Sequence, residues 1–205
     1  MRTLVIDAAT AACSVALVEA GSVIAERHEL VERGHAERLV PMIAELPGGG
    51  RAGHILVDVG PGSFTGIRVG IAAARGLGLG WGATVAGCSS LALVAARQLA
   101  DGDAGLPVAV VLEGGHGEVF MQRFAASPLR ALGPLESLTP AAARARLDGA
   151  AAVGDGLRWL DSDDPRQAPR GALPRAADAV LLPPALATLP PRPLYGRAPD
   201  AKVPG

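Results

Sequence analysis

Residues 57–70 read Val-Asp-Val-Gly-Pro-Gly-Ser-Phe-Thr-Gly-Ile-Arg-Val-Gly, a short apolar run entering a glycine-rich loop that carries two hydroxyl side chains. Free backbone N–H groups at a helix start, with the Ser63 and Thr65 hydroxyls beside them, make an anion-accepting turn. Gly60, Gly62 and Gly66 are spaced G-x-G-x-x-x-G, so Thr65 stands where a dinucleotide fingerprint needs glycine. A nucleophile elbow fails too, because Gly62 directly precedes Ser63. A Walker-type loop needs a lysine, and the chain's single lysine is Lys202. The plain alternative is a Pro61-Gly62 turn with Ser63 as a helix cap. Asp7 offers a second candidate: an aspartate after the first strand, with Thr10 and Ser14 beyond it, has the look of a first phosphate loop. The plain alternative there is a turn residue at a strand end.

The four histidines are His28, His35, His54 and His116. His28-Glu29 is followed by Glu32 where a zinc protease helix needs its second histidine. His116-Gly117-Glu118 lacks the cysteine pair of a zinc deaminase. No metal site is expected. Cys13 and Cys88 stand in no metal or redox spacing and are expected as free, buried thiols.

The elements that must position these residues follow from pattern. Thr3–Ile6, Ser14–Glu19 and Val23–Leu30 are expected as a three-stranded meander. Leu39, Met42, Ile43 and Leu46 mark one face of a helix over His35–Leu46, with Pro41 inside it kinking the helix or delaying its start. A strand over Ile55–Val59, a helix from Ser63 to Leu79, a strand over Ala83–Ala86 and a helix over Ser89–Ala100 give a parallel section beside the meander. Val108–Leu112 and Val119–Phe124 form a hairpin around Gly114–Gly117, and Pro140 opens a further helix. From Pro183 prolines are dense, and order there is the least expected. Along the helix from Ser63, small residues recur every fourth position at Gly66, Gly70, Ala74 and Gly78. Glycine in a helix costs about 1 kcal/mol relative to alanine, so the stripe implies close approach of another backbone, either the chain's own sheet or a helix of another chain.

With 205 residues, 49% of them apolar, the chain can bury a sizeable core, and with 3% aromatic that core is aliphatic. The net charge of −1 disfavours a major direct grip on nucleic acid. No apolar run is long enough to span a membrane, no signal peptide is visible, and a cytoplasmic protein is expected.

The segments IDAATAACSVAL, RGHAERLVPMI, VGPGSFTGIRVGIAAARGLGLG and GCSSLALVA resemble, in order and spacing, the TsaB (YeaZ) family; GEVFMQRF, AVGDG and PLYGR continue the likeness more weakly. The resemblance implies an α/β fold of the actin/sugar-kinase/Hsp70-like (ASKHA) class. It implies two related subdomains, residues 1–102 with the partner-binding helices and a smaller one over 103–205. It implies a non-catalytic scaffold that activates a TsaD-like paralogue in forming N6-threonylcarbamoyladenosine beside the anticodon of tRNA. The partners would be that paralogue in a heterodimer, a TsaE-like ATPase on the heterodimer, a second copy when alone, and tRNA only indirectly. His35, Leu39, Met42, Ile43, Gly66, Ile67, Gly70, Ile71, Ala74 and Gly78 would form the partner interface. Asp7, Thr10, Ser14, Gly60, Gly62, Ser63 and Thr65 would be vestigial phosphate loops. No cofactor would bind tightly, and ATP or ADP only in the complex. No catalytic residue is expected: where the catalytic relative carries H-x-x-x-H for its metal, this chain reads Ser89-Ser90-Leu91-Ala92-Leu93. Glu113-Gly114-Gly115 and Tyr195-Gly196-Arg197 depart from the family pattern. The competing expectation is an enzyme of the same fold with its own ATP-dependent kinase or transferase activity, using Asp7 and Asp58.

Overall fold

The computed structural model describes residues 1–31, 33–101, 107–147, 149–161 and 172–196. Its first sheet holds β1 (Arg2–Asp7), β2 (Ala12–Glu19), β3 (Ser22–Leu30), β4 (His54–Asp58) and β5 (Thr84–Cys88) in the order β3-β2-β1-β4-β5. The meander β1–β2–β3 is antiparallel, while β1, β4 and β5 run parallel. Alternation along the strands sorts the two faces. Leu4, Ile6, Ile55 and Val57 pack under α1 (His35–Ala44) and α2 (Phe64–Trp81). Val5, Ala16 and Leu56 point the other way, toward Leu93 of α3 (Ser90–Asp101) and toward Ala176.

The second sheet repeats this plan. An antiparallel set, β6 (Val108–Gly115), β7 (Glu118–Ala126), β8 (Leu129–Ala131) and β9 (Glu136–Leu138), is followed by α4 (Pro140–Leu147). Then β10 (Ala152–Val153) lies parallel to β6, as β4 lies parallel to β1. A short α5 (Arg158–Asp161) closes this half. The two halves therefore begin on one plan, as expected of the actin/sugar-kinase/Hsp70-like class, and β5 has no counterpart among the described residues of the second sheet. Helix α3 is wedged between them: Leu93 packs with the first sheet, while Leu91, Val94 and Ala95 pack with Val108, Val110, Leu112 and Phe124 of the second. The expected division at residue 102 lies outside the described residues.

Most expected elements are present, with three differences. Helix α1 starts at His35 and carries Pro41 on its exposed side, so the proline does not delay it. Strand β6 runs on to Gly115, which reduces the expected turn to His116-Gly117, both at positive φ. The proline-dense tail is irregular yet anchored as far as residue 196. Two 3₁₀ turns, Ala176–Leu181 and Pro184–Leu186, lead into an extended strap in which Leu189 bridges to Gly87.

The small-residue stripe settles against this chain. Gly70 faces Val57, Ala8 and Ile6, and Gly78 faces Val85. A Cβ at Gly62 or Gly66 would overlap the backbone carbonyl of Ala9 or Ala8. Replacing either by alanine must push a backbone segment aside, and we expect each change to destabilise by about 3 kcal/mol or more. Gly76 lies in the same helix with open space around it, so Gly76→Ala should stabilise by up to about 1 kcal/mol. Urea unfolding of the three variants measures the contrast.

Candidate functional site

The carboxyl ends of β1 and β4 bring Asp7 and Asp58 together, both fully buried. Each is the polar last residue of an otherwise apolar strand and points to the α3 side, as Val5 and Leu56 do. Asp7 accepts the Ala9 N–H at Oδ1 (3.1 Å) and the Ser14 hydroxyl at Oδ2 (3.1 Å). Ser14 in turn accepts the Ala176 N–H (2.9 Å). Asp58 Oδ1 accepts the Gly60 N–H (2.8 Å) and the Ser90 hydroxyl (2.9 Å). Asp58 Oδ2 receives no donor of that kind; it lies within reach of the Asp7 carboxyl.

Two carboxylates have no hydrogen to share, so a proton must supply the bond between them. Burial, and then the charge of Asp58, push Asp7 well above the usual carboxylate range. Burial pushes Asp58 up to about 6, against the donors from Gly60 and Ser90. The neighbouring thiols respond to the same environment. Burial, then the charge of Asp7, raise Cys13 to about 12, and burial with the two aspartates raises Cys88. Both cysteines are free and buried.

The loops expected to face a phosphate are closed upon one another. Ser63 N–H donates to Ala9 O (2.6 Å), Gly66 N–H to Ser63 Oγ (3.3 Å) and Gly60 N–H to Asp58. Thr10 Oγ1 accepts from its own turn, at the Ala12 N–H (3.3 Å), while Thr65 is exposed. Asp7, Ser14, Gly60, Gly62 and Ser63 thus converge, and the N–H groups of Gly60, Ser63 and Gly66 meet protein oxygens. Ser90 N–H bonds Gly60 O (3.1 Å), and Leu93 lies in the core.

The ten residues expected at a partner interface are not on the outside of the helix pair. Leu39, Met42, Ile43, Ile67, Ile71 and Ala74 are buried in the chain's own core, and Gly66, Gly70 and Gly78 are buried in helix α2. His35, also buried, donates from Nε2 to Thr10 O (2.8 Å), tying α1 to the Asp7 loop. Apolar periodicity marks the inward face of a helix that rests on a sheet. The outward face carries Val40 of α1, 57% exposed, with Phe64 and Leu79 of α2, 56% and 89% exposed. Arg68 and Arg75 share that side of α2. Phe64 is one of only three phenylalanines, and a search for aromatic residues at polar helix positions would have found it. In the second half, Arg158 pairs with Glu113, whose N–H donates to Asp155 (3.0 Å). Arg197 of the divergent Tyr195-Gly196-Arg197 lies outside the described residues.

A family model described as TsaD, tRNA N6-adenosine threonylcarbamoyltransferase, matches residues 21–128. The tRNA threonylcarbamoyladenosine biosynthesis protein TsaB of Escherichia coli is 44% identical over 102 residues, which cover 46% of this chain and 43% of that protein. The Haemophilus influenzae protein of the same name is 40% identical over 100 residues, 46% and 42% of the two chains. The match thus spans less than half the length of these two relatives. An uncharacterized Mycobacterium tuberculosis protein is 30% identical over 97% of this chain and 93% of its own length. Among solved structures, YeaZ from Pseudomonas aeruginosa superposes with a TM-score of 0.73 at 29% identity, covering 88% of this chain and 89% of that one. A second Pseudomonas aeruginosa structure, described as similar to the peptidase YEAZ, gives 0.76 at 28% identity, covering 96% and 99%.

The folded chain holds a proton on Asp58 more tightly than the unfolded chain does. Its contribution to stability is complete below the ordinary aspartate value of 3.8 and is lost as pH rises through about 6. A proton held only in the folded state changes stability by about 1.4 kcal/mol per pH unit. We expect the unfolding free energy of the native chain to fall between pH 4 and 6.5 relative to Asp58→Asn. The amide of that variant does not titrate, and buried Asp7 keeps its own proton to higher pH, so the profile should be flatter across this range. Urea unfolding across this range measures the difference.

Proposed function

The chain belongs to the TsaB (YeaZ) family, and we propose that it serves as a non-catalytic subunit that activates a TsaD-type paralogue in forming N6-threonylcarbamoyladenosine beside the anticodon of tRNA. The observation that carries this reading is the closed nest: Ala8 and Ala9 carbonyls press on Gly66 and Gly62, and Ser63 N–H is bonded to Ala9. A phosphate would have to displace a backbone segment to reach those donors. ATP or ADP would then engage only within the complex. The similarity to the tRNA threonylcarbamoyladenosine biosynthesis proteins of Escherichia coli and Haemophilus influenzae supports the pathway.

The outward face of α1 and α2 supports the partner role. Exposed Val40, Phe64 and Leu79, with Arg68 and Arg75 alongside, offer apolar anchors and arginines of the kind that dominate interface energetics. A TsaD-type paralogue would pack here, a second copy would take its place when the chain is alone, and a TsaE-like ATPase would act on the heterodimer. The buried side of the same helices keeps them fixed on the sheet, so the face is preformed. With a net charge of −1, tRNA contact would come through the partners. The competing reading, a phosphotransfer enzyme of its own, draws on the Asp7–Asp58 pair, whose carboxyls are engaged by Ala9, Ser14, Gly60 and Ser90.

Reconstitution tests the proposal. The mixture holds the matching TsaD and TsaE proteins, the adenylate-forming enzyme, ATP, threonine, bicarbonate and tRNA. Modified tRNA is expected only when this chain is added; full modification without it overturns the reading. Leu79→Glu should lower the stimulated rate at least about tenfold and abolish co-elution with the TsaD-type partner. Its thermal midpoint should stay within about 2 °C of the native chain, since Leu79 lies outside the core.

A further inference from the structure

Residues 187–196 cross the carboxyl ends of β4 and β5, where an open α/β sheet presents its crevice. Leu189 exchanges both backbone hydrogen bonds with Gly87 (2.6 and 2.9 Å), and Leu194 N–H donates to Val59 O (2.8 Å). Between those anchors stand Pro190, Pro191 and Pro193, which have no N–H to give. The one remaining N–H, of Arg192, is spent within the strap on Pro190 O (2.7 Å). The strap's middle is thus joined to the fold through a side chain: Arg75 donates to Pro191 O (2.6 Å). Its prolines keep it extended whether seated or not, so reseating orders few additional torsions.

The strap ends in a latch. The Tyr195 hydroxyl accepts from Nε (3.1 Å) and Nη2 (3.0 Å) of Arg68. Its ring stacks on Phe64, with centroids 5.7 Å apart and an interplanar angle of 23°. The Arg68 guanidinium lies 3.5 Å from the Phe64 centroid. Phe64 and Arg68 stand on the outward face of α2, and Tyr195 is 43% exposed. Sequence separation between latch and strap partner is large, so the contact exists only through the tertiary fold.

We propose that the strap is a displaceable cover over the carboxyl ends of β4 and β5, and that the Arg68–Phe64–Tyr195 latch on the outward face of α2 sets how firmly it is seated. The inference concerns the chain alone and stands apart from the tRNA role.

Residue-resolved amide hydrogen exchange on the full chain tests it. The native protein is compared with Tyr195→Phe, which keeps the stack and removes the acceptor, and with Arg68→Ala, which removes both contacts. Exchange at Gly87, Leu189 and Leu194 should accelerate a few-fold in the first variant and about tenfold or more in the second. Amides of β1 and β2 should keep native protection. Unchanged exchange at the three strap amides overturns the proposal, because the latch would then not control seating. Equal acceleration throughout β1 and β2 also overturns it, because the latch would then be a general stabilising contact.

Discussion

Two buried carboxylates meet at the ends of β1 and β4 with one hydrogen too few between them, and the rest of the first half is arranged around that deficit. The donors that Asp7 and Asp58 recruit come from the loop after β1, the second strand, the glycine loop, the start of α3 and, through Ser14, the residue Ala176. Five separate stretches of chain are held at one point because buried charge tolerates no unpaired neighbour. The remaining oxygen takes its donor from a proton. The arrangement is a structural hub built from groups that could do chemistry.

The same point explains the glycines. With the loop after β1 drawn inward by Asp7, its Ala8 and Ala9 carbonyls lie directly against the start of α2. Only residues without a Cβ fit opposite them, which places Gly62 and Gly66. The Ala9 carbonyl also accepts the Ser63 N–H at the helix start, where N–H groups need acceptors. A loop rich in glycine and hydroxyls at a helix mouth is here an adaptation to a neighbouring backbone. The second half repeats the relation in miniature: Gly154 and Gly156, after β10, sit against the backbone of Val111 and Leu112.

Helix α3 makes the two halves one body. Its residues 90 to 96 are all buried, because one side meets the first sheet and another the second. A helix in that position can carry few charges, and Ser90-Leu91-Ala92-Leu93-Val94-Ala95-Ala96 carries none. Ser90 spends its hydroxyl on Asp58, so the helix that joins the sheets is also fixed to the hub.

Local pattern was enough to read the meander, the parallel section, the hairpin and the cap at Ser63, because hydrophobic alternation and turn chemistry act within a few residues of chain. It also showed that Gly66, Gly70, Ala74 and Gly78 needed a close neighbour. It could not say which neighbour. Periodicity reports an apolar face on each helix, with Leu39 and Ile43 on one and Ile67 and Ile71 on the other, and is silent on whether those faces meet their own sheet or another molecule; the β2-β1-β4-β5 surface decided for the former. Nor could spacing announce that Asp7 and Asp58, fifty-one residues apart by subtraction of their numbers, would share a proton, or that Tyr195 would come to rest on Arg68. Burial and charge coupling depend on distances in space, and those exist only once the parallel register of β1 and β4 and the path of the strap are set.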